Sequence, residues 1–149
     1  STIFPEVRLK RYLEMRGADG VPWGRLPALP AFWVGLLYDD ASLDAAWQIV
    51  KDWSADDRQA LRDQVPKLGF KARIGDRYLF EIAKECLALA HAGLRRRARI
   101  DQDGRDESRY LEPLDRAIEI GKTPAETMLD LFHGAWQGSV DPAYDAYAF

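Results

Sequence analysis

The chain has 149 residues, and its 21 Lys and Arg against 24 Asp and Glu give a net charge of −3 and a pI near 5.4. This length supports about one domain, and the mild acidity argues against a nucleic-acid-binding surface, which is normally basic. Hydrophobic residues make up 47% and charged residues 30%, a balance typical of globular proteins. No apolar run is long enough to span a membrane. We therefore expect neither nucleic acid nor a membrane as a partner.

The first patterned segment, residues 7–16, has the sequence VRLKRYLEMR and alternates with a period of two. Such alternation predicts a half-exposed β-strand, although its Leu, Lys, Glu and Met residues leave a helix as the alternative. One predicted face is polar and comprises Arg8, Lys10, Tyr12, Glu14 and Arg16. The other face, apolar apart from Arg11, comprises Leu9, Arg11, Leu13 and Met15.

A strand needs a hydrogen-bonding partner, and no second segment of the chain offers a convincing one. The chain also begins with Ser1 rather than Met. From these two observations we expect a piece of a longer protein, with the rest of the sheet supplied by residues that precede this segment.

The remaining sequence predicts a Gly- and Pro-rich loop at 17–29, a helical region at 30–136 and an irregular tail at 137–149. Pro30 suits the first turn of the first helix. Ser42, Ser54 and Thr123 are predicted N-caps, the last within a capping box closed by Glu126. We expect a helix that starts at Ser54 to stop near Pro66 and Gly69. The other predicted helices span 76–99, 109–120 and 124–135, so the predicted class is α+β, with about one strand followed by about six helices.

The polar face of the predicted strand is the best candidate site. A carboxylate among cations suits a polyphosphate with a bound metal: Glu14 could hold Mg²⁺, a hard ion that prefers oxygen ligands, while Arg and Lys neutralise phosphate oxygens. On the pattern alone, a solvated face with cross-strand ion pairs is the alternative, and the favoured one.

The other chemistry-bearing residues favour structural roles. The loop GADGVPWG at 17–24 matches neither common phosphate-loop pattern. The cluster Arg95–Arg97 with Arg99 suits a helix C-terminus, with an acidic partner or nucleic acid as the alternative. His91 and His133 lack metal-ligand spacing, and Cys86 falls on an apolar helix stripe, where a buried and inert thiol is expected.

The run FPEVRLKRYLEMRGADGVPWGRLPALPAFWVGLLYDD at 4–40 closely resembles the plant and proteobacterial type of glutamate–cysteine ligase. The resemblance returns in TPAETMLDLFHGAWQGSVDP at 123–142 and is weaker between these segments. It corresponds to the C-terminal portion of that enzyme. The resemblance implies a glutamine-synthetase-like catalytic domain, in which a curved antiparallel sheet forms a funnel with helices packed around it.

The resemblance also implies an activity and a site. ATP phosphorylates the γ-carboxylate of glutamate with Mg²⁺ present, and the amine of cysteine then attacks the acyl phosphate, in the first step of glutathione synthesis. The superfamily carries a Glu-x-Arg strand pattern, which Glu14 and Arg16 match. The resemblance thus assigns Glu14 to Mg²⁺ and Arg16 to a catalytic contact with phosphate or glutamate, with Arg8 and Lys10 as weaker candidates for ATP phosphate. It reverses the preference for a merely solvated face.

Departures from the plant pattern occur at three positions, where Val21, Gly24 and Pro27 replace Gly, Arg and Cys. The cysteine at the last position takes part in plant redox control, so we expected a bacterial, cytoplasmic member without that switch. We also expected a fragment that is inactive without the rest of the ligase chain. The rival hypothesis is a non-catalytic helical interaction module that binds a partner through residues 30–37 or the Arg95–Arg99 cluster.

Overall fold

The computed structural model describes residues 6–148, so residues 1–5 and Phe149 of the predicted fragment lie outside the described part. The described residues form seven α-helices and two small antiparallel hairpins, which supports an α+β class dominated by helices. The strands are β1 (Val7–Leu9), β2 (Leu13–Met15), β3 (Arg73–Ile74) and β4 (Arg77–Tyr78). The helices are α1 (Ala28–Leu37), α2 (Asp40–Val50), α3 (Ala55–Leu68), α4 (Leu79–Arg97), α5 (Glu112–Ile120), α6 (Pro124–His133) and α7 (Asp141–Ala146).

The expected single strand at 7–16 is instead the hairpin of β1 and β2. Arg8 lies opposite Glu14, and Leu9 lies opposite Leu13. The chain reverses over three residues, where the Lys10 N–H donates to the Tyr12 carbonyl at 2.9 Å. The prediction that this segment has no pairing partner within the chain was therefore wrong, because the two halves of the segment pair with each other.

The core lies where α1 crosses α4, and two glycines set how closely the helices approach. A Cβ built on Gly93 would overlap the carbonyl of Gly35, and one built on Gly35 would overlap the backbone of Ala90. Around this contact the buried apolar side chains form one cluster: Ala31, Leu36, Leu87, Ala90, Leu94 and Leu111. The first helix begins at Ala28, slightly before the predicted Pro30.

Helix α2 begins at a different cap from the predicted one. Asp39, not Ser42, is the N-cap, and its carboxylate accepts the Ser42 N–H at 2.8 Å. Ser42 lies one turn into the helix and is fully buried, where its hydroxyl donates to the Leu89 carbonyl at 2.9 Å. The serine therefore ties α2 to α4 instead of capping α2.

Arg96, in the last turn of α4, closes this junction. Its Nη2 lies 2.6 Å from Asp39 Oδ1 and its Nε lies 2.9 Å from Oδ2. This two-pronged hydrogen bond, together with the Ser42 N–H, holds the pKa of Asp39 well below its ordinary value. Asp39 thus caps α2 and also binds the last turn of α4 through Arg96.

Two predicted caps and one predicted helix end are confirmed, and the prediction for the tail is wrong. Ser54 starts α3 and Thr123 starts α6, each in a complete capping box. The predicted end of α3 near Pro66 and Gly69 is also confirmed, because the helix ends at Leu68 with Gly69 as its C-cap, and Pro66 lies in its last turn. The tail, expected to be irregular, contains α7.

The long helix predicted at 76–99 is shorter than expected. Its first residues belong to β4, which pairs with β3, and α4 runs only from Leu79 to Arg97. The helix predicted at 109–120 begins as a 3₁₀ turn at Glu107–Leu111 and becomes α5 at Glu112. No helix within residues 6–148 is both long and apolar enough to cross a membrane.

The first prediction concerns the contact between α1 and α4. We expect Gly93→Ala to lower the free energy of unfolding by about 1–3 kcal/mol, the usual cost of forcing extra volume into a packed core. The methyl group would meet the backbone of Gly35, which cannot move aside without shifting α1. Urea unfolding of the purified protein measures the change. Gly24→Ala is the matched control, because open space surrounds that position, and equal stabilities of the two variants would contradict the prediction.

The second prediction concerns Asp39 and acid. The pKa of Asp39 is lower in the folded protein than its ordinary value of 3.8, so its contribution to stability is complete above 3.8. That contribution is lost as the pH falls through the lower folded-state pKa. We expect Asp39→Asn to lower the urea midpoint at neutral pH and to weaken the acid-induced decrease of that midpoint. Asp44→Asn, at an exposed position of α2, is the control. Identical pH profiles of the urea midpoint for Asp39→Asn and the wild type would show that Asp39 does not contribute to the acid sensitivity.

Candidate functional site

The β1–β2 hairpin brings two of the predicted site residues into direct contact. Arg8 and Glu14 are partners in the strand register, and the Arg8 Nε donates to Glu14 Oε2 at 2.6 Å. For a single strand, side chains on one face would have been spaced about 6.6–7 Å apart at alternate positions. The turn replaces that row with a cross-strand ion pair.

Arg16 lies beside the same carboxylate. Its Nε is 4.0 Å from Glu14 Oε2, the oxygen that Arg8 already contacts. The hydrogen bond from Arg8, followed by the charges of Arg8, Lys10 and Arg16, lowers the pKa of Glu14. Glu14 is therefore an ionised carboxylate at neutral pH, with the negative charge that a metal ligand needs.

Lys10 is not part of the row that the sequence predicted. It lies in the three-residue turn, and its Nζ sits 5.9 Å from the centre of the Tyr12 ring. The turn carries it out of the β1–β2 ladder, although its charge still lowers the pKa of Glu14. The predicted face is thus reduced to Arg8, Glu14 and Arg16 on the strands, with Lys10 at the tip.

Glu6 is a member of this polar face that the sequence analysis missed. Its carbonyl accepts the Arg16 N–H at 2.8 Å, which extends the hairpin by one pair. Its carboxylate lies 3.0 Å from Arg62 Nε of α3, so the base of the hairpin is tied to the helical region. The signal was available, because Glu6 precedes Arg8 by two residues and continues the polar alternation.

The residues present fit a metal-bound polyphosphate better than a bare cation. Among residues 6–148 no cluster of three or more His, Cys, Asp or Glu side chains could hold a metal ion. Glu14 can supply one oxygen, and Mg²⁺ is often bound by one or two carboxylates together with phosphate oxygens. The cations Arg8, Lys10 and Arg16 outnumber that carboxylate, so the local charge favours an anionic ligand.

Two arginines of the basic cluster at the end of α4 form ion pairs within the fold. Arg96 binds Asp39, and Arg97 Nε lies 3.1 Å from Glu107 Oε2. Residues 30–37, the other surface of the rival interaction module, lie in the core helix α1. These contacts give the interaction module no specific support.

The histidines contact neighbouring side chains. His91 Nε2 lies 2.8 Å from Asp115 Oδ1, between α4 and α5. The ring of His133 packs edge-on against Phe132. Each contact agrees with the structural role expected from the sequence.

The comparison with known proteins decides the family. A family model described as glutamate-cysteine ligase family 2 (GCS2) matches residues 1–146 of the chain. The chain belongs to this family. The resemblance carried by residues 4–40 and 123–142 is thereby confirmed, as is membership of an enzyme family rather than of a family of binding modules.

Several plant ligases are close relatives. The chloroplastic glutamate–cysteine ligases of Solanum lycopersicum and Arabidopsis thaliana are 50% and 51% identical to this chain over 145 residues, which is 97% of the chain. Glutamate–cysteine ligase A of Oryza sativa subsp. indica, also chloroplastic, is 51% identical over 144 residues. The chain spans only 27–28% of the length of these relatives.

The family match corrects two expectations drawn from Pro27. The expectation of a cytoplasmic protein was wrong, because the relatives are chloroplastic enzymes. The relatives are plant proteins and give no support to a bacterial origin. The inference failed because the absence of a cysteine excludes one disulfide but gives no information about the subcellular location of a protein.

The third prediction concerns Cys86, the single cysteine in this ligase-family sequence. Cys86 is partly buried in α4, and burial raises the pKa of its thiol. Because the thiolate is the reactive form, we expect iodoacetamide to alkylate the folded protein at least about tenfold more slowly than the urea-unfolded protein. Mass spectrometry of timed samples measures both rates. Equal rates would show that the thiol is accessible and ionised in the fold.

Proposed function

We propose that this chain forms the C-terminal part of a catalytic domain that ligates the γ-carboxylate of L-glutamate to the amine of L-cysteine. In this proposal ATP first phosphorylates glutamate, and the amine of cysteine displaces phosphate from the γ-glutamyl phosphate, with Mg²⁺ as the metal. The observation that carries it is the identity of about half of all residues with plant glutamate–cysteine ligases over 97% of this chain. That stretch includes the hairpin with Glu14 and Arg16.

Glu14 is the proposed Mg²⁺ ligand of this chain. Its carboxylate is ionised, 29% exposed and held on one oxygen by Arg8. In the proposal, Glu14 would hold Mg²⁺ by one carboxylate oxygen, and the metal would supply positive charge beside the phosphate oxygens of ATP. The surrounding cations weaken the attraction for a bare metal ion, so metal and nucleotide are expected to bind together.

Arg16 is the proposed catalytic cation. Its guanidinium lies beside Glu14 and can neutralise either the phosphoryl group in transfer or a carboxylate of glutamate. Lys10, at the tip of the hairpin, is a weaker candidate for an ATP phosphate. Arg8 is also a candidate for phosphate, but its Nε is already committed to Glu14.

The hairpin is proposed to form part of the wall of a glutamine-synthetase-like sheet funnel, with the helices as its flank. Catalysis requires several groups to converge on ATP, glutamate and cysteine. Residues 6–148 offer one such hairpin and no metal cluster. We therefore expect this chain to be inactive without the additional length that its relatives possess.

The fourth prediction tests Glu14 in the full-length ligase that contains this chain. We expect Glu14→Gln to reduce the rate of γ-glutamylcysteine formation at least about 100-fold, because one charged contact at a transferring phosphoryl group is worth that much. The side chain keeps its size and loses its charge, so the fold should persist. Product formation from ATP, glutamate and cysteine measures the rate, and circular dichroism checks the fold.

The matched control for this prediction is Glu119→Gln. Glu119 is an exposed residue of α5, which is not part of the hairpin, and it undergoes the same chemical change. We expect near wild-type turnover for this control. Near wild-type turnover for Glu14→Gln as well would remove Glu14 from the site.

A further inference from the structure

The pair formed by Arg8 and Glu14 has a geometry that a simple list of phosphate-binding cations does not explain. The two residues are direct partners across the hairpin, so the backbone ladder itself sets their separation. The Arg8 Nε then lies 2.6 Å from Glu14 Oε2. This short contact places a charged donor on one oxygen of the carboxylate that is proposed to bind the metal.

We propose that Arg8 is a positioning residue, which acts on the metal–nucleotide complex by holding the carboxylate of Glu14 and not by contacting phosphate. This inference rests on the proposed function, because it takes Glu14 as the metal ligand. A side chain that hydrogen-bonds a metal-ligating carboxylate fixes the orientation of the ligating oxygen. Arg8 would thus contribute to binding only when the metal is present.

Arg16 gives this arrangement a second consequence. Its Nε lies 4.0 Å from the same oxygen of Glu14 that Arg8 contacts at 2.6 Å. While Arg8 donates to that oxygen, it compensates part of the negative charge of Glu14, which weakens the attraction between Glu14 and Arg16. Without Arg8, the carboxylate would draw Arg16 toward itself and away from the anionic group that Arg16 is proposed to bind.

The positioning role and simple charge repulsion predict opposite changes in metal affinity when Arg8 is removed. Arg8 is a cation close to a proposed cation site, so its removal should strengthen metal binding if only long-range repulsion mattered. If Arg8 orients Glu14, its removal should weaken binding of the metal–nucleotide complex in spite of the lost repulsion. A direct phosphate contact predicts a third result, in which nucleotide binding weakens with or without metal.

The test is a calorimetric titration of the full-length ligase with ATP, in excess Mg²⁺ and separately in EDTA, with glutamate and cysteine absent. For Arg8→Gln we expect MgATP affinity to fall about 10- to 100-fold, the usual effect of removing a hydrogen-bond partner of a metal ligand. We expect the affinity for metal-free ATP to stay unchanged. Arg8→Lys, which keeps the charge but lacks the planar donor group, should restore only part of the MgATP affinity. It also carries the test if Arg8→Gln does not fold.

Two further variants isolate the pathway through Glu14. Arg116→Gln is the control, since it breaks an Arg–Glu pair on α5 whose donor and acceptor lie 3.1 Å apart, and it should leave both affinities unchanged. In a Glu14→Gln background, Arg8→Gln should have no further effect on MgATP affinity, because the group through which it acts is no longer charged.

Three results would overturn the positioning role. They are an equal loss of affinity for ATP with and without Mg²⁺, a gain in MgATP affinity, or additive effects of the two substitutions. The proposed reaction is judged separately, by whether the wild-type enzyme makes γ-glutamylcysteine. If that assay gives no product but the titrations agree with expectation, the proposed substrates are wrong and the positioning role of Arg8 stands. If the enzyme makes the product but the titrations disagree, only the positioning role of Arg8 is wrong.

Discussion

The close approach of α1 and α4 is the constraint on which the helical part of the structure depends. Gly93 faces the carbonyl of Gly35 with no space for a Cβ. Because the two backbones lie so near, the hydroxyl of Ser42 can reach the Leu89 carbonyl, and Arg96 can reach the cap of α2. Three helices are therefore fixed by one contact between glycines and the polar bonds that it permits.

This junction explains why sequence reasoning found the helices but misassigned one cap. At Ser54 and Thr123 the capping signal is local. The cap hydroxyl accepts the backbone N–H of an acidic residue three positions later, and the carboxylate of that residue accepts the backbone N–H of the cap. Asp39 and Ser42 are equally good caps by residue type. The choice depends on Arg96, which is 57 residues away in the chain. No local pattern contains that information.

The hairpins were missed for a different physical reason at each place. The reversal at Lys10–Tyr12 contains no Gly, Asn or Pro, so it lacks the residues that usually mark a tight turn. The second hairpin does carry a signal: Gly75 has a φ of 55° in a two-residue Gly-Asp turn. Its strands have only two residues each, too short to produce a visible alternation. Boundaries near short strands are thus set by the turn and not by hydrophobic pattern.

The candidate site keeps three of its predicted members on the strands, although Lys10 moves to the turn and the shape of the site changes. In the observed register every even-numbered residue of the first hairpin faces another even-numbered residue, so Arg8, Glu14 and Arg16 remain on one face. The alternation of the sequence could predict this sharing of a face, but not the direct contact of Arg8 with Glu14. The contact depends on where the chain turns, and a one-residue shift would have separated the pair.

The opposite face of this hairpin is apolar and largely exposed. Leu9 is 80% exposed, Leu13 is 55% exposed and Val7 is 46% exposed. Two strands alone are marginally stable in water, and the described residues leave these three apolar side chains largely exposed. The relatives are almost four times as long as this chain. Additional residues packed on that apolar face would stabilise the hairpin, and they would leave the opposite face, with Glu14 and Arg16, open to a ligand.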